Sequence, residues 1–294
     1  AIYFSFLTVV LLFIPLDYEI LGIILGATLV LIMGIIDDIH HLSAGIKFAV
    51  QVIAAAVLIR FGVAIEFVGN PFGGLINLAW WLSASLTLFW IVGATNTINF
   101  IDGLDGLAAG VSAIALLALG FYAYQVGQTQ GTLICLALAG STLGFLKHNF
   151  HPARIFMGDS GSMFLGFMLG AITVQGVMKS IVAVALLVPI VIMGVPIFDT
   201  AFAIFRRYRN KKPLSIADKG HIHHRLLHKG FSQRQTVLII YLWSILLSIV
   251  ALTLRHTTFV EKVLIFILLA ILSFLFEKFV GLFDDFRKSK KNLF

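Results

Sequence analysis

The chain has 294 residues, of which 60% are hydrophobic and 12% charged, with a mean hydropathy of +1.01. Soluble domains run to about 45–50% apolar and 25% charged, so the composition excludes a soluble globular domain and marks an integral membrane protein. The net charge of +7 could suggest nucleic acid, but in a membrane chain basic residues mark cytoplasmic loops, and no nucleic-acid partner is expected.

Long apolar runs recur along the whole length without the alternation of barrel strands, which points to an all-α, polytopic transmembrane helical bundle of about ten helices in one domain, 1–294. The opening "AIYFSFLTVVLLFIPL" lacks an initiator Met and a basic leader, and reads as the remains of a membrane helix with further residues expected before Ala1. At about 20 apolar residues per crossing, spans are expected at 1–16, 20–36, 46–65, 77–95, 106–124, 131–147, 161–178, 181–199, 236–254 and 262–280. The single cysteine, Cys135, lies in an apolar run and allows no intrachain disulfide.

Ten crossings put alternate connections on opposite sides. One side receives 37–47, 96–105, 147–161, 200–235 and the tail after 280; the other receives 17–19, 66–76, 125–130, 179–180 and 255–261. Of the 21 Lys and Arg only Arg60, Lys179, Arg255 and Lys262 fall on the second side, so the first is expected to be cytoplasmic. Asp37, Asp38, Asp102, Asp105, Asp159, Asp199 and Asp218 gather there, whereas Asp17, Glu19, Glu66 and Glu261 fall outside.

Four constellations mark that side. In "IIDDIHHLSAGIK", Asp37 and Asp38 are adjacent acids at a helix end, which call for compensation by Lys47, a metal ion or its phosphate complex, unless water alone caps them. In "NTINFIDGLDGLAAG", Asn96, Asn99, Asp102 and Asp105 fall three apart. Steps of about 300° would spread them over half a helix circumference, so Gly103 and Gly106 suggest a break lining a polar cavity. Helix capping explains one such residue, not four; carboxylate and amide oxygens suit a hard ion such as Mg²⁺. In "KHNFHPARIFMGDSGSMFLG", Asp159 can cap the next helix and present its carboxylate there. The fourth, Arg206 to Thr236, carries nine Lys and Arg and the run "HIHHR", His221 to Arg225. A positive-inside signal explains its basic residues better than its histidines, and with no cysteine nearby zinc is disfavoured. Together these suit a soluble diphosphate substrate, with Mg²⁺, meeting a lipid phosphate.

"GIIDDIHHLSAGIK", "NTINFIDGLDGLAAG", "NFHPARIFMGDSGSMFLG" and "PIFDT…HIHHRLLHKGFSQRQ", in this order, resemble the polyprenyl-phosphate N-acetylhexosamine-1-phosphate transferases of glycosyltransferase family 4. The resemblance covers nearly the whole chain. It implies transfer of a sugar 1-phosphate from a UDP-sugar to undecaprenyl phosphate, releasing UMP, with Mg²⁺ or Mn²⁺. By motif, it implies that Asp37 and Asp38 are the acid pair of the catalytic centre, one of them the base for the lipid phosphate. It likewise implies that Asp159 binds the metal with Asn99, and that Asp102 and Asp105 are nucleotide-side acids, Asp105 toward uracil. Asn149 and Lys47 would hold the nucleotide sugar or its phosphates, and His221, His223, His224 and Arg225 would embrace the diphosphate and sugar.

"HIHHRL" resembles the branch that takes UDP-GlcNAc to start teichoic acid, O-antigen or related polymers, where the UDP-MurNAc-pentapeptide branch reads "HHHFE". The implied partners are UDP-GlcNAc, undecaprenyl phosphate and the bilayer of a bacterial cytoplasmic membrane, with a homodimer allowed for. The family's usual first helix and basic, Gly-containing motif would precede Ala1. A secondary transporter is the competing class, but its acids would lie near the midplane and not at one face.

Overall fold

The computed structural model describes residues 1–69, 74–177, 187–209, 220–253 and 259–280. In chain order the helices are α1 (Ile2–Phe13), α2 (Tyr18–His40), α3 (Ala44–Arg60), α4 (Trp80–Ile101), α5 (Leu107–Gln125), α6 (Thr129–Asn149), α7 (Gly158–Ile172), α8 (Leu187–Ile192), α9 (Gly194–Arg209), α10 (Ile222–His228), α11 (Gln233–Thr253) and α12 (Phe259–Val280). α2, α4, α5, α6 and α11 are each long and apolar enough to cross a membrane. The protein is a membrane helical bundle.

α7 is its axis. Every residue from Ser162 to Ile172 is buried, and the helix packs on α2 and α4 over most of its length. The approach to α2 is close because Gly34 faces α7: a Cβ there would lie 2.4 Å from Ser160 Cα. α5 and α6 pair as an antiparallel hairpin beside it, and α11 closes over α5.

Several elements differ from the sequence expectation. α1 stops at Phe13, shortly before Pro15, and α3 is 17 residues long. The connection expected at 66–76 holds an antiparallel hairpin of β1 (Phe67–Gly69) and β2 (Leu75–Asn77), with Val68 opposite Ile76. α4 does not end at residue 95 but runs to Ile101, so Asn96 and Asn99 are helical. The expected span 181–199 is divided at Met193 into α8 and α9, where Pro196 has no N–H for the preceding turn. α9 then continues through Arg209 into what reads as loop. Lys179, Asp218, Arg255, the connection at 179–180 and the tail after 280 lie outside the described residues.

Candidate active site

At one end of the bundle the chain folds back three times. After α2, His41 takes a left-handed conformation and its amide returns to Asp37 O, while the Leu42 amide donates to Asp37 Oδ1 at 2.7 Å. Ser43 then caps α3, and this tight corner points Lys47, one turn into α3, back at α2. Lys47 Nζ donates to Asp37 Oδ2 and to Asp159 Oδ2, both at 2.8 Å. A single ammonium therefore joins the first constellation to the third.

The two adjacent acids have different surroundings. Asp37 is 5% exposed and faces Lys47. Asp38 is exposed and caps α7 from another helix, accepting from the Asp159 amide at 2.8 Å and the Ser160 amide at 3.3 Å. Carboxylates are favoured at a helix N-terminus. The contact needs glycine at 158, where φ is +65° and a Cβ would lie 2.7 Å from Asp38 Oδ2.

From α4, Asn99 Nδ2 donates to Asp159 Oδ1 at 3.1 Å and to Ser162 Oγ at 2.9 Å. Asn96, one step earlier, points elsewhere: it exchanges hydrogen bonds with Gln51 of α3, which is 1% exposed. The angular drift between them thus sends one asparagine to the site and the other to helix packing.

The break after α4 spans Asp102 to Gly106. It borders a cavity of about 510 Å³ lined by Asn99, Asp102, Asp105, Asn149, Asp159 and Gln233, with Phe156 at its rim. Asp102 is partly buried here. Burial, then the negative charges of Asp159, Asp38 and Asp105, push its carboxyl up to about 7. Asp105 Oδ2 accepts from His151 Nδ1 at 2.8 Å and the Ala153 amide at 3.1 Å. Asn149 is buried; its Oδ1 accepts from the Gly106 amide at 3.0 Å and its Nδ2 donates to Ile155 O at 2.9 Å, so it fixes the cavity wall from both sides. Tyr241 of α11 secures the same loop by donating to Gly106 O.

Asp37, Asp38 and Lys47 do not line the cavity but meet it through Asp159. His221, His223, His224 and Arg225 sit outside its lining as well. The His223 ring lies behind the cavity wall: a Cβ on Gly103 would lie 2.3 Å from His223 Nε2. His221 and His223 stack in parallel with centroids 5.8 Å apart, and His224 is 4.2 Å from His223. Burial and the neighbouring His224 hold the His223 imidazole down to about 4, so it is neutral at pH 7.

Sequence reasoning had not assigned roles to Ser162, His151, Gln233, Tyr241 or Asp199. His151 and Gln233 stand inside the motifs already quoted. Ser162 does too, but its partner Asn99 is 63 residues away; Tyr241 lies outside every motif, 135 residues from Gly106.

Among the described residues no group of three or more His, Cys, Asp and Glu side chains is arranged to hold a metal ion. The donor set nevertheless fits Mg²⁺, which is commonly bound through one or two carboxylates and completed by water and substrate phosphate. Asp159 faces the cavity beside Asn99, whose Nδ2 is turned away to Ser162 and Asp159. Asp102 lines the same space, its carboxyl raised first by burial and then by the neighbouring carboxylates.

Residues 20–177 match the family description "Glycosyl transferase family 4". The chain is 43% identical over 276 residues to a probable undecaprenyl-phosphate N-acetylglucosaminyl 1-phosphate transferase of Bacillus subtilis, covering 92% of this chain and 77% of the relative. It is 43% identical over 244 residues to a decaprenyl-phosphate N-acetylglucosaminephosphotransferase of Mycolicibacterium smegmatis, covering 76% of this chain and 60% of that protein. It is 27% identical over 255 residues to the undecaprenyl-phosphate alpha-N-acetylglucosaminyl 1-phosphate transferase of Escherichia coli, covering 85% and 70%. With the match over more than half its length and these relatives beside it, the chain belongs to glycosyl transferase family 4.

Proposed function

We propose that this protein transfers GlcNAc-1-phosphate from UDP-GlcNAc to undecaprenyl phosphate, giving undecaprenyl-diphospho-GlcNAc and UMP, as the first membrane step of a cell-envelope polymer. The observation that carries the reading is the convergence on Asp159, in a third motif, of Lys47, Asp37 and Asp38 from one motif and Asn99 from another, beside a cavity of about 510 Å³. The names of the relatives supply the substrate classes.

In the reaction an oxygen of the lipid phosphate attacks the phosphorus that carries the sugar. The bond from that phosphorus to the bridging oxygen breaks, and its electron pair leaves with UMP. Such a transfer asks of the protein mainly positioning and charge neutralisation. The Asp37–Asp38 pair offers the base for the lipid phosphate, and Lys47 holds Asp37 and Asp159 in fixed relation. Asp102 and Asp105 line the nucleotide side, with Asn149 bracing the loop that bears them. Mg²⁺, held by Asp159 and Asn99, would neutralise the diphosphate charge. The α10 histidines and Arg225 would support the sugar and diphosphate side of the cavity from behind Gly103.

The excess of Lys and Arg on the connections at this end supports a cytoplasmic site and about ten crossings. Purified protein given UDP-GlcNAc, undecaprenyl phosphate and Mg²⁺ should release UMP, and Asp159→Ala should abolish it. Release from UDP-MurNAc-pentapeptide in place of UDP-GlcNAc would contradict the choice of sugar. A phosphorylated enzyme trapped with UDP-GlcNAc alone would contradict direct attack.

A further inference from the structure

The "HIHHR" histidines need an anchor, because α10 has only seven residues and short helices are marginal on their own. The anchor is an acid on a different helix. Asp199 of α9, 6% exposed, accepts from His221 Nδ1 through Oδ2 at 2.8 Å and from the Ile222 amide through Oδ1 at 2.9 Å. A carboxylate only accepts, so the hydrogen on His221 is held on Nδ1 and the tautomer is fixed. One side chain thus sets both the backbone at the start of α10 and the orientation of its first ring.

What α10 touches gives this consequence. The His221 ring rests 6.3 Å from the ring of Phe100, near the end of α4, and the parallel His223 ring abuts Gly103 in the break that follows. Phe100 and Gly103 flank Asp102, which lines the cavity. His223 is 1% exposed, and neither ring nitrogen has a hydrogen-bond partner among the described residues. Leaving such a group unpaired is unfavourable, a cost that packing between α10 and the cavity wall must offset. A shift of α10 would therefore move the wall that carries Asp102.

We propose that Asp199 is a positioning residue for sugar-nucleotide binding: through His221 and the Ile222 amide it seats α10 against Phe100 and Gly103 and so sets the donor side of the cavity. The inference rests on the transferase reading and deepens it. Asp199 is too buried and too fully engaged to touch a substrate, so it acts only through α10.

The test is steady-state UMP release by full-length protein, with UDP-GlcNAc and undecaprenyl phosphate varied separately, for Asp199→Ala, Asp199→Asn, His221→Ala and the Asp199→Ala/His221→Ala double variant. Misplacement by about an ångström can cost ~10²-fold. Asp199→Ala is expected to lower kcat/KM for UDP-GlcNAc by ~10- to 100-fold while the KM for undecaprenyl phosphate stays at the wild-type value. His221→Ala should do the same, and the double variant should be no worse than the worse single, since groups acting through one contact are not additive. Asp199→Asn keeps an acceptor for Ile222 but turns an N–H toward His221; it guards against a misfolded alanine variant and should melt like wild type with the same donor-selective loss. Equal losses for both substrates, additive single effects, or an Asp199→Asn variant at wild-type rate would each overturn the inference while leaving the transferase reading intact. A wild-type protein that releases no UMP from UDP-GlcNAc overturns the transferase reading and this inference with it.

Discussion

The two ends of the bundle both carry acids at helix starts, yet they use them differently. At one end Asp17 caps its own helix, accepting from the Ile20 amide at 2.8 Å, and takes one further hydrogen bond from Gln130. Arg60 and Tyr18 meet nearby in a similar pairwise way. At the other end Asp38 caps a helix 121 residues away, and Lys47 is shared between Asp37 and Asp159. Pairwise contacts hold two elements at most; cross-connected charges hold several elements to one place and concentrate negative charge around a cavity. The contrast separates a stabilised rim from the candidate site.

Variants at the two ends should respond accordingly. The largest effect is expected for Lys47→Met, which leaves two carboxylates facing without their shared cation; kcat for UMP release should fall by about 10³-fold, on the scale of losing a preorganised charge. Gly34→Ala comes next, because its Cβ would meet the backbone of Ser160. Overpacking of this kind costs about 1–3 kcal/mol, and since α7 bears Asp159 the rate should drop by ~10²-fold as well. A melting curve alongside the kinetics checks both parts.

The third test uses pH. His223 is held at about 4 in the folded protein, below its ordinary 6.5. The unfolded chain therefore binds a proton before the folded one does as pH falls. Stability from the buried neutral ring is present above about pH 6.5 and is lost as pH drops through 4, by about 3 kcal/mol in all. Melting of wild type and His223→Asn should diverge at pH 7 and converge toward pH 4; parallel curves would contradict the burial argument. The smallest effect is expected at the opposite end, where Asp17→Ala should cost about 1 kcal/mol, the value of an N-cap, with UMP release unchanged. A loss of activity there would erase the contrast between the ends.

Much of this was legible in the sequence. Hydropathy located most of the helices, and the structure brings residues of the four polar motifs together at one end of the bundle. Other features depended on partners distant in the chain. "NTINF" does not reveal that Asn96 serves Gln51 while Asn99 serves Asp159, because the direction of each depends on where α3 and α7 pack. "DD" likewise does not say which acid meets the lysine and which caps α7. Asp199 stands in "PIFDT" among the acids of that side, but its pairing with a histidine 22 residues downstream depends on how α9 and α10 pack. The paired strands β1 and β2 carry too few residues for a periodic signal, and the break at Met193 reflects Pro196, which hydropathy does not register.

The most direct test of the central claim is UMP release from UDP-GlcNAc, with undecaprenyl phosphate and Mg²⁺, by wild type and Asp159→Asn measured side by side. The account expects wild type to release one UMP for each lipid-linked product, and Asp159→Asn, at an unchanged melting temperature, to release none above background. Release by Asp159→Asn at the wild-type rate would contradict it.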